Sequence, residues 1–209
     1  MAIISNATTI IDAGAMSGLG SMVLIKTLTA SSSSTLSFVH GASSVVLDGT
    51  YPLYRFSFIN MHPASHNPDA AGGFNFNVTT DGSNYNVAKT STAFTGYHSE
   101  DDTQAGFGYN VGNDAAQITA AIPITGQIYN QNDNGTSGFL DLYNPADTTF
   151  MKHFISSSGR TDYSGRDYQN QYHVAGYVNT TSAVTGVQFS MWSGNIDSGT
   201  VKLYGIKDS

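Results

Sequence analysis

The sequence predicts an all-β protein, a two-sheet antiparallel β-sandwich of jelly-roll type with an N-terminal arm. Two observations support this prediction: apolar and polar residues alternate along short segments, and turn signals separate these segments into about eight to ten strands. The alternation is clearest near the end of the chain, where Val187, Phe189 and Met191 alternate with Gln188 and Ser190. Successive side chains of a strand point to opposite faces, so this pattern describes a strand with one dry and one wet side.

Residues 1–20 differ in composition from the rest and are predicted to form the arm. Ala, Gly, Ser and Met dominate this segment, with small apolar clusters at Ile3-Ile4 and Ile10-Ile11. Its glycines would weaken any long helix. We expect an arm that lies on a neighbouring subunit or on the sandwich; the alternative is a frayed terminus.

The sandwich domain is predicted to span residues 21–209, and its first half contains five strand segments. Polar turn signals, such as Asp48-Gly49 and Asp81-Gly82, separate several of them. The segments are Met22 to Leu28, Thr35 to Val39, Val45 to Leu47, Tyr54 to Phe58 and Phe74 to Val78.

A long excursion is predicted at about residues 95–137, where Gly, Asn, Asp and Gln are frequent and alternation is weak. Within it, Asp114 to Ala121 is interpreted as a short helix with Asp114 as its N-cap and Pro123 as its stop. The remainder is expected to hold short strands.

The second half returns to strands, with a polar loop expected from Ser156 to Asp167. On one segment, Tyr172, Val174 and Val178 share a face opposite His173 and Tyr177. The strand segments are Gly138 to Leu142, Phe150 to Ser156, Tyr168 to Val178, Val184 to Ser190 and Gly199 to Ile206.

The charge and composition of the chain argue against some classes of binding partner. Only 11% of the residues are charged and the formal net charge is -7, so phosphate-binding cations are scarce and nucleic acid is not an expected partner. No run is long enough to span a bilayer, and the N-terminus lacks the features of a signal peptide. The chain has no cysteine, which fits synthesis in a reducing cytoplasm.

The sequence contains no recognisable catalytic motif. We therefore expect a protein that is not an enzyme and that needs no cofactor. The sequence has neither G-x-S-x-G nor a phosphate-binding loop. His62 and His66 near Asp69 are interpreted as parts of an exposed loop rather than a metal site, and Glu100 to Asp102 as a solvated acidic loop rather than a calcium site. The acids considered for glycoside cleavage, on residue type alone, are Asp141, Asp162, Asp167 and Asp197.

Aromatic residues near predicted strand ends could stack on sugar rings while neighbouring amides bind the hydroxyl groups. The candidate glycan contacts are Trp192, Tyr163, Tyr168 and Tyr172. The alternative is that these are ordinary strand-edge aromatics with a packed ring and a hydrated polar end.

Segments at both ends of the chain carry a resemblance. These are Leu19 to Ser33 with Thr35 to Phe38, then Tyr54 to Pro63, and finally Ser193 to Ile206. Together they resemble segments of predicted virion structural proteins of marine tailed bacteriophages. The resemblance weakens between residues 95 and 137.

The resemblance implies a non-enzymatic virion component, made in the host cytoplasm and located on the capsid surface, as a decoration or fibre, or in the tail. The expected partners are further copies of the chain, with a trimer as one arrangement, and other virion proteins. The alternative function is a carbohydrate-binding host-adhesion module of a tail fibre, whose partner would be a host surface glycan.

Overall fold

The fold is described from a computed structural model. It covers residues 21–66, 73–162 and 167–207, together with the backbone of three short strands within residues 3–16. The described residues contain strands, turns and loops but no helix, and hence no apolar helix that could cross a membrane.

Sixteen strands are present in the described part of the chain. They are β1 (Ile3–Ser5), β2 (Thr8–Asp12), β3 (Ala15–Met16), β4 (Met22–Thr29), β5 (Leu36–Val39), β6 (Leu53–Pro63), β7 (Phe74–Thr79), β8 (Lys89–Ser99), β9 (Ala105–Tyr109), β10 (Ala115–Ile118), β11 (Ile122–Pro123), β12 (Gly135–Tyr143), β13 (Lys152–Asp162), β14 (Tyr168–Val178), β15 (Gly186–Met191) and β16 (Ile196–Ile206).

The strands from β4 onward form two antiparallel sheets, which confirms the predicted β-sandwich. The large sheet has the order β10-β8-β14-β13-β12-β6-β16-β4, with β9 as a second partner on β8. The small sheet has the order β11-β7-β15-β5. Strands β1 to β3 form a separate three-stranded sheet. The interpretation of residues 1–20 as an arm stays a prediction.

Aromatic rings hold the two sheets together face to face. Phe56 of the large sheet lies 5.5 Å from Phe189 of the small sheet, measured between ring centroids. Phe76 and Phe154 make a second inter-sheet contact at 4.8 Å in an edge-to-face arrangement. All four rings are fully buried. Each such pair contributes about 0.5–1.5 kcal/mol beyond the burial of its area.

The outer faces of the two sheets differ in exposure. Every residue of β7 is buried, including Asn77, because loops cover the outer face of the small sheet. The Asn77 amide nitrogen donates to the carbonyls of Tyr85 and Thr119 in those loops, at 2.7 and 3.2 Å. On β14, by contrast, alternate residues from Gln169 to Ala175 are exposed. The large sheet therefore offers the open surface.

Two lysines are buried beside the same valine of the large sheet. Val178 of β14 pairs with Lys89 of β8 on one side and with Lys152 of β13 on the other. The Lys89 ammonium donates to Asn77 Oδ1 at 2.6 Å and to the Val87 carbonyl at 2.8 Å, but no carboxylate of the described residues compensates its charge. Burial consequently lowers the pKa of Lys89 to about 8 and also lowers the pKa of Lys152.

Three local predictions were wrong. The segment predicted as a helix at Asp114 to Ala121 contains strand β10, because its backbone pairs with Lys89 and Ser91 of β8. Val45 to Leu47 is a loop whose apolar side chains pack into the core without joining a sheet. The expected loop from Ser156 is strand until Asp162, since β13 pairs with β14 along its whole length.

Candidate functional site

A row of small and polar residues crosses four neighbouring strands on the open face of the large sheet. Gly96 of β8 pairs with Gln171 of β14, which pairs with Gly159 of β13, which in turn pairs with Ser137 of β12. Paired residues point to the same face of a sheet. Because two of these four positions have no side chain, the sheet surface is lower along this row than beside it.

The neighbouring row of paired residues on the same face has a phenylalanine at each end, and these two rings form apolar walls of the depression. Phe139 of β12 pairs with Ser157, Ser157 with His173, and His173 with Phe94 of β8. Three inter-strand spacings separate the two phenylalanine backbones, a distance of roughly 14 Å. The depression is thus a groove that runs across the strands, parallel to a row with an aromatic residue at each end.

The groove consists of two continuous hollows of about 450 and 710 Å³. Both are lined by Ser137, Gly159 and Gln169, and the smaller hollow extends to Gly96 and Phe139. The larger hollow extends toward the loop that precedes β12 and toward the start of β16. Each hollow by itself has a volume within the range of sites that hold a small organic ligand.

Polar groups from three segments meet at the loop end of the groove. His62, at the end of β6, lies between the loop before β12 and the start of β16. Its Nε2 is 3.0 Å from the Gln131 carbonyl, and its Nδ1 is 3.7 Å from Asp197 Oδ2. Asp133 and Asn134 line the same hollow. The carboxylates give this end of the groove a negative character.

Exposed aromatic rings lie at the opposite end, on the β8–β9 hairpin. Phe107 is 73% exposed, and its ring is parallel to that of Phe94 at a centroid distance of 6.0 Å. Tyr109 contacts Phe94 edge to face at 5.4 Å. The Tyr109 hydroxyl donates to Asp114 at 2.8 Å, and this hydrogen bond raises the pKa of Tyr109. Exposed rings held in this way present an apolar surface next to the groove.

An ion pair supports the aromatic wall on β12. Arg55 donates from Nε and Nη2 to the two oxygens of Asp141, each at 2.7 Å, and these hydrogen bonds raise the pKa of Arg55. The guanidinium group also lies 4.3 Å from the ring centroid of Phe139. Both charges are therefore compensated locally, and the Phe139 ring is fixed in position.

The three predicted glycan contacts that the structure describes do not lie together in one site. Tyr172 is buried on the core side of β14, where its hydroxyl accepts a hydrogen bond from Arg160, so its ring has no free face for a sugar. Tyr168 donates to Gln104 at 2.6 Å at the start of β14. Trp192 is partly exposed but follows β15 of the small sheet. Tyr163 lies outside the described residues.

The acidic segments considered as metal sites make local hydrogen bonds. Asp101 Oδ1 accepts hydrogen bonds from Ser99 and Thr103, while Asp102 lies 3.0 Å from His98. Within the described ranges, no three His, Asp or Glu side chains are placed to hold a metal ion together. Asp69 lies outside those ranges.

Two of the acids considered for hydrolysis, Asp141 and Asp197, occupy separate environments. Asp141 is paired with Arg55 on the open face, and Asp197 faces His62 at the loop end of the groove. Asp167 offers its backbone carbonyl to the Glu100 amide, and the side chain of Asp162 lies outside the described residues. The arrangement is suited to binding a polar molecule through hydrogen bonds and aromatic contacts.

Comparisons with known proteins add no relative. No family model, no curated protein and no solved structure matches the chain.

Proposed function

We propose that this protein is a non-enzymatic structural subunit of a bacteriophage virion, exposed on the capsid or in the tail. The main support is the division of the chain into two paired systems. Strands β1 to β3 pair among themselves, whereas every strand from β4 to β16 belongs to the sandwich. A segment with its own pairing, joined to a complete sandwich, suits an anchor that contacts a neighbouring subunit.

The edge strand β4 gives further support for assembly. It pairs only with β16 among the described strands, and it exposes Met22 and Leu24. An edge strand with exposed apolar side chains is a surface on which chains associate. We therefore expect the subunit to form a homo-oligomer in the particle.

A deletion of residues 1–20 tests this proposal. Particles would be purified from a host infected by the virus that carries this gene, with either the full chain or the deletion variant supplied, and their proteins would be identified by mass spectrometry. We expect the full chain in the particles and the deletion variant only in the soluble fraction, where its circular dichroism spectrum should still be that of a folded β-sandwich. The proposal is wrong if the full chain is absent from particles, and the anchor is wrong if the deletion variant is incorporated equally.

A second candidate function is host adhesion through carbohydrate, and the groove on the large sheet favours it. Its lining combines amides, hydroxyls and aromatic rings, the groups that bind sugar hydroxyls and stack on sugar rings. Binding of the purified protein to immobilised host-surface polysaccharide would support this function. The absence of binding to any carbohydrate would exclude it.

A further inference from the structure

We propose that the groove binds an uncharged oligosaccharide, with one sugar ring against Phe107 and the chain crossing the row from Gly96 to Ser137. This inference rests on the adhesion function and specifies its site and ligand class. It uses neither Trp192 nor the tyrosines of the sequence-based prediction.

The floor of the groove is shaped by two glycines whose backbones do not require glycine. Neither Gly96 nor Gly159 has a positive φ. A Cβ at Gly96 would lie 3.5 Å from Phe107 Cδ2, and a Cβ at Gly159 would lie 3.2 Å from Nε2 at the end of the long Gln169 side chain. A larger residue is therefore tolerated at both positions, and it would increase strand propensity. The missing side chains leave room above the sheet for a ligand.

Side chains that can still form hydrogen bonds line the space above the two glycines. The exposed amide of Gln171, between the two glycines, makes no hydrogen bond within the described residues. Gln169 donates only to the neighbouring Asn170 carbonyl, at 3.2 Å. Ser137 Oγ accepts a hydrogen bond from the Asn60 amide at 2.9 Å, which fixes the hydroxyl at the edge of the groove. Amides that donate and accept suit the vicinal hydroxyls of a sugar.

The rings of the β8–β9 hairpin provide the apolar contact. Phe107 lies beside the Gly96 end of the groove, and its stacking on Phe94 holds it in place while one ring face stays open. The apolar C–H face of a pyranose fits against such a ring. The roughly 14 Å between the Phe94 and Phe139 backbones, taken from three strand spacings, accommodates a short oligosaccharide.

The charges around the groove select against acidic sugars. Asp133 and Asp197 lie at the loop end, and the chain as a whole has a formal net charge of -7. The lining cation Arg160 is buried and donates to the Gln127 carbonyl. Among the described lining residues, a uronate or sulfate group would meet carboxylates and no free cation, so we infer a neutral ligand class.

The test uses a glycan array that carries neutral gluco-, galacto- and manno-oligosaccharides beside uronate- and sulfate-bearing ones. The array would be probed with the full chain, and any sugar bound would be titrated by calorimetry. We expect binding to neutral sugars alone. Gly159→Thr, which fills the groove floor, and Phe107→Ala, which removes the ring, should each weaken binding at least about 10-fold, or about 1.4 kcal/mol.

Two matched controls separate the groove from general effects. Gly108→Thr introduces the same residue on β9, where a Cβ meets open space, and Phe150→Ala removes a ring that is 71% exposed outside the groove. Both should bind like the wild type. Gly159→Thr should leave the unfolding temperature unchanged or raise it. The backbone of Gly159 already has a strand conformation, which threonine adopts without strain.

The results that would contradict the proposed site, the ligand class and the adhesion function differ from one another. If sugars bind but Gly159→Thr and Phe107→Ala have no effect, the adhesion function stands and the proposed site is wrong. If only acidic sugars bind, the proposed ligand class is wrong. If no sugar binds, the adhesion function and this inference both fail.

Discussion

The free energy of unfolding is expected to increase as the pH is raised from about 8 to 10, because folding buries the Lys89 side chain. The Lys89 ammonium has two hydrogen-bond acceptors, Asn77 Oδ1 and the Val87 carbonyl, but no counter-charge in the part of the chain that the structure describes. Burial penalises the protonated form and lowers the pKa of Lys89 from 10.5 to about 8.

The sign and size of the effect follow from proton binding by the two states. Below pH 8 the folded and unfolded chains both hold the proton, and the full burial penalty applies. Between pH 8 and 10.5 the folded chain releases the proton while the unfolded chain keeps it, so stability increases with pH. The difference corresponds to about 3 kcal/mol, at about 1.4 kcal/mol per pKa unit. The lowered pKa of Lys152 acts in the same direction.

Tyr54 limits the increase at higher pH. Burial raises the pKa of its phenol from 10.0 to about 12. Above pH 10 the unfolded chain therefore loses this proton before the folded chain does, and stability decreases. We expect a stability maximum near pH 10.

Urea unfolding, followed by circular dichroism at several pH values between 8 and 10, measures this profile. Lys89→Met keeps the length of the side chain and removes its charge, so its profile should be flatter than that of the wild type. The exposed Lys207 provides the control, and Lys207→Met should follow the wild-type profile. A flat or falling wild-type profile, or an unchanged slope in Lys89→Met, would refute the reasoning.

Three further variants test packing, each by denaturant unfolding. Phe189→Ala removes a fully buried ring at the contact between the sheets and should cost about 3–5 kcal/mol; a cost below about 1 kcal/mol would contradict the described core. Gly205→Ala places a Cβ too close to the Tyr51 ring and should lower the free energy of unfolding by about 1–3 kcal/mol. An unchanged free energy of unfolding would mean that the ring can move aside. Asp141→Ala leaves Arg55 without its bidentate partner and should cost about 1–3 kcal/mol; an equal loss in an Arg55→Ala background would show that the pair is not coupled.

The two-sheet architecture was predictable because alternation depends only on neighbouring residues. The faces of Tyr168 to Val178 were assigned correctly: Tyr172, Val174 and Val178 are buried, while His173 is exposed. Alternation does not explain Asn77, which alternates with Phe76 in the sequence although both residues are buried. Loops that return from elsewhere in the chain cover the face on which Asn77 lies, and a local pattern contains no information about them.

The groove could not be predicted, since it depends on the register between strands far apart in sequence. Gly96 and Ser137 both lie in the segment interpreted as an irregular excursion, and Gly159 lies in a segment predicted as a loop. Only the pairing of β8, β14, β13 and β12 places them in one row. Tyr172 was chosen as an aromatic near a polar loop, but the register of β14 directs its ring to the core.

A cryo-electron microscopy map of the particle that contains this protein is the most direct test that it works through the open face of its large sheet. We predict that residues 1–20 contact a neighbouring subunit, and that Gly159 and Phe107 face solvent on the outside of the particle. A map in which this face is buried against the shell, while residues 1–20 contact no other subunit, would contradict it.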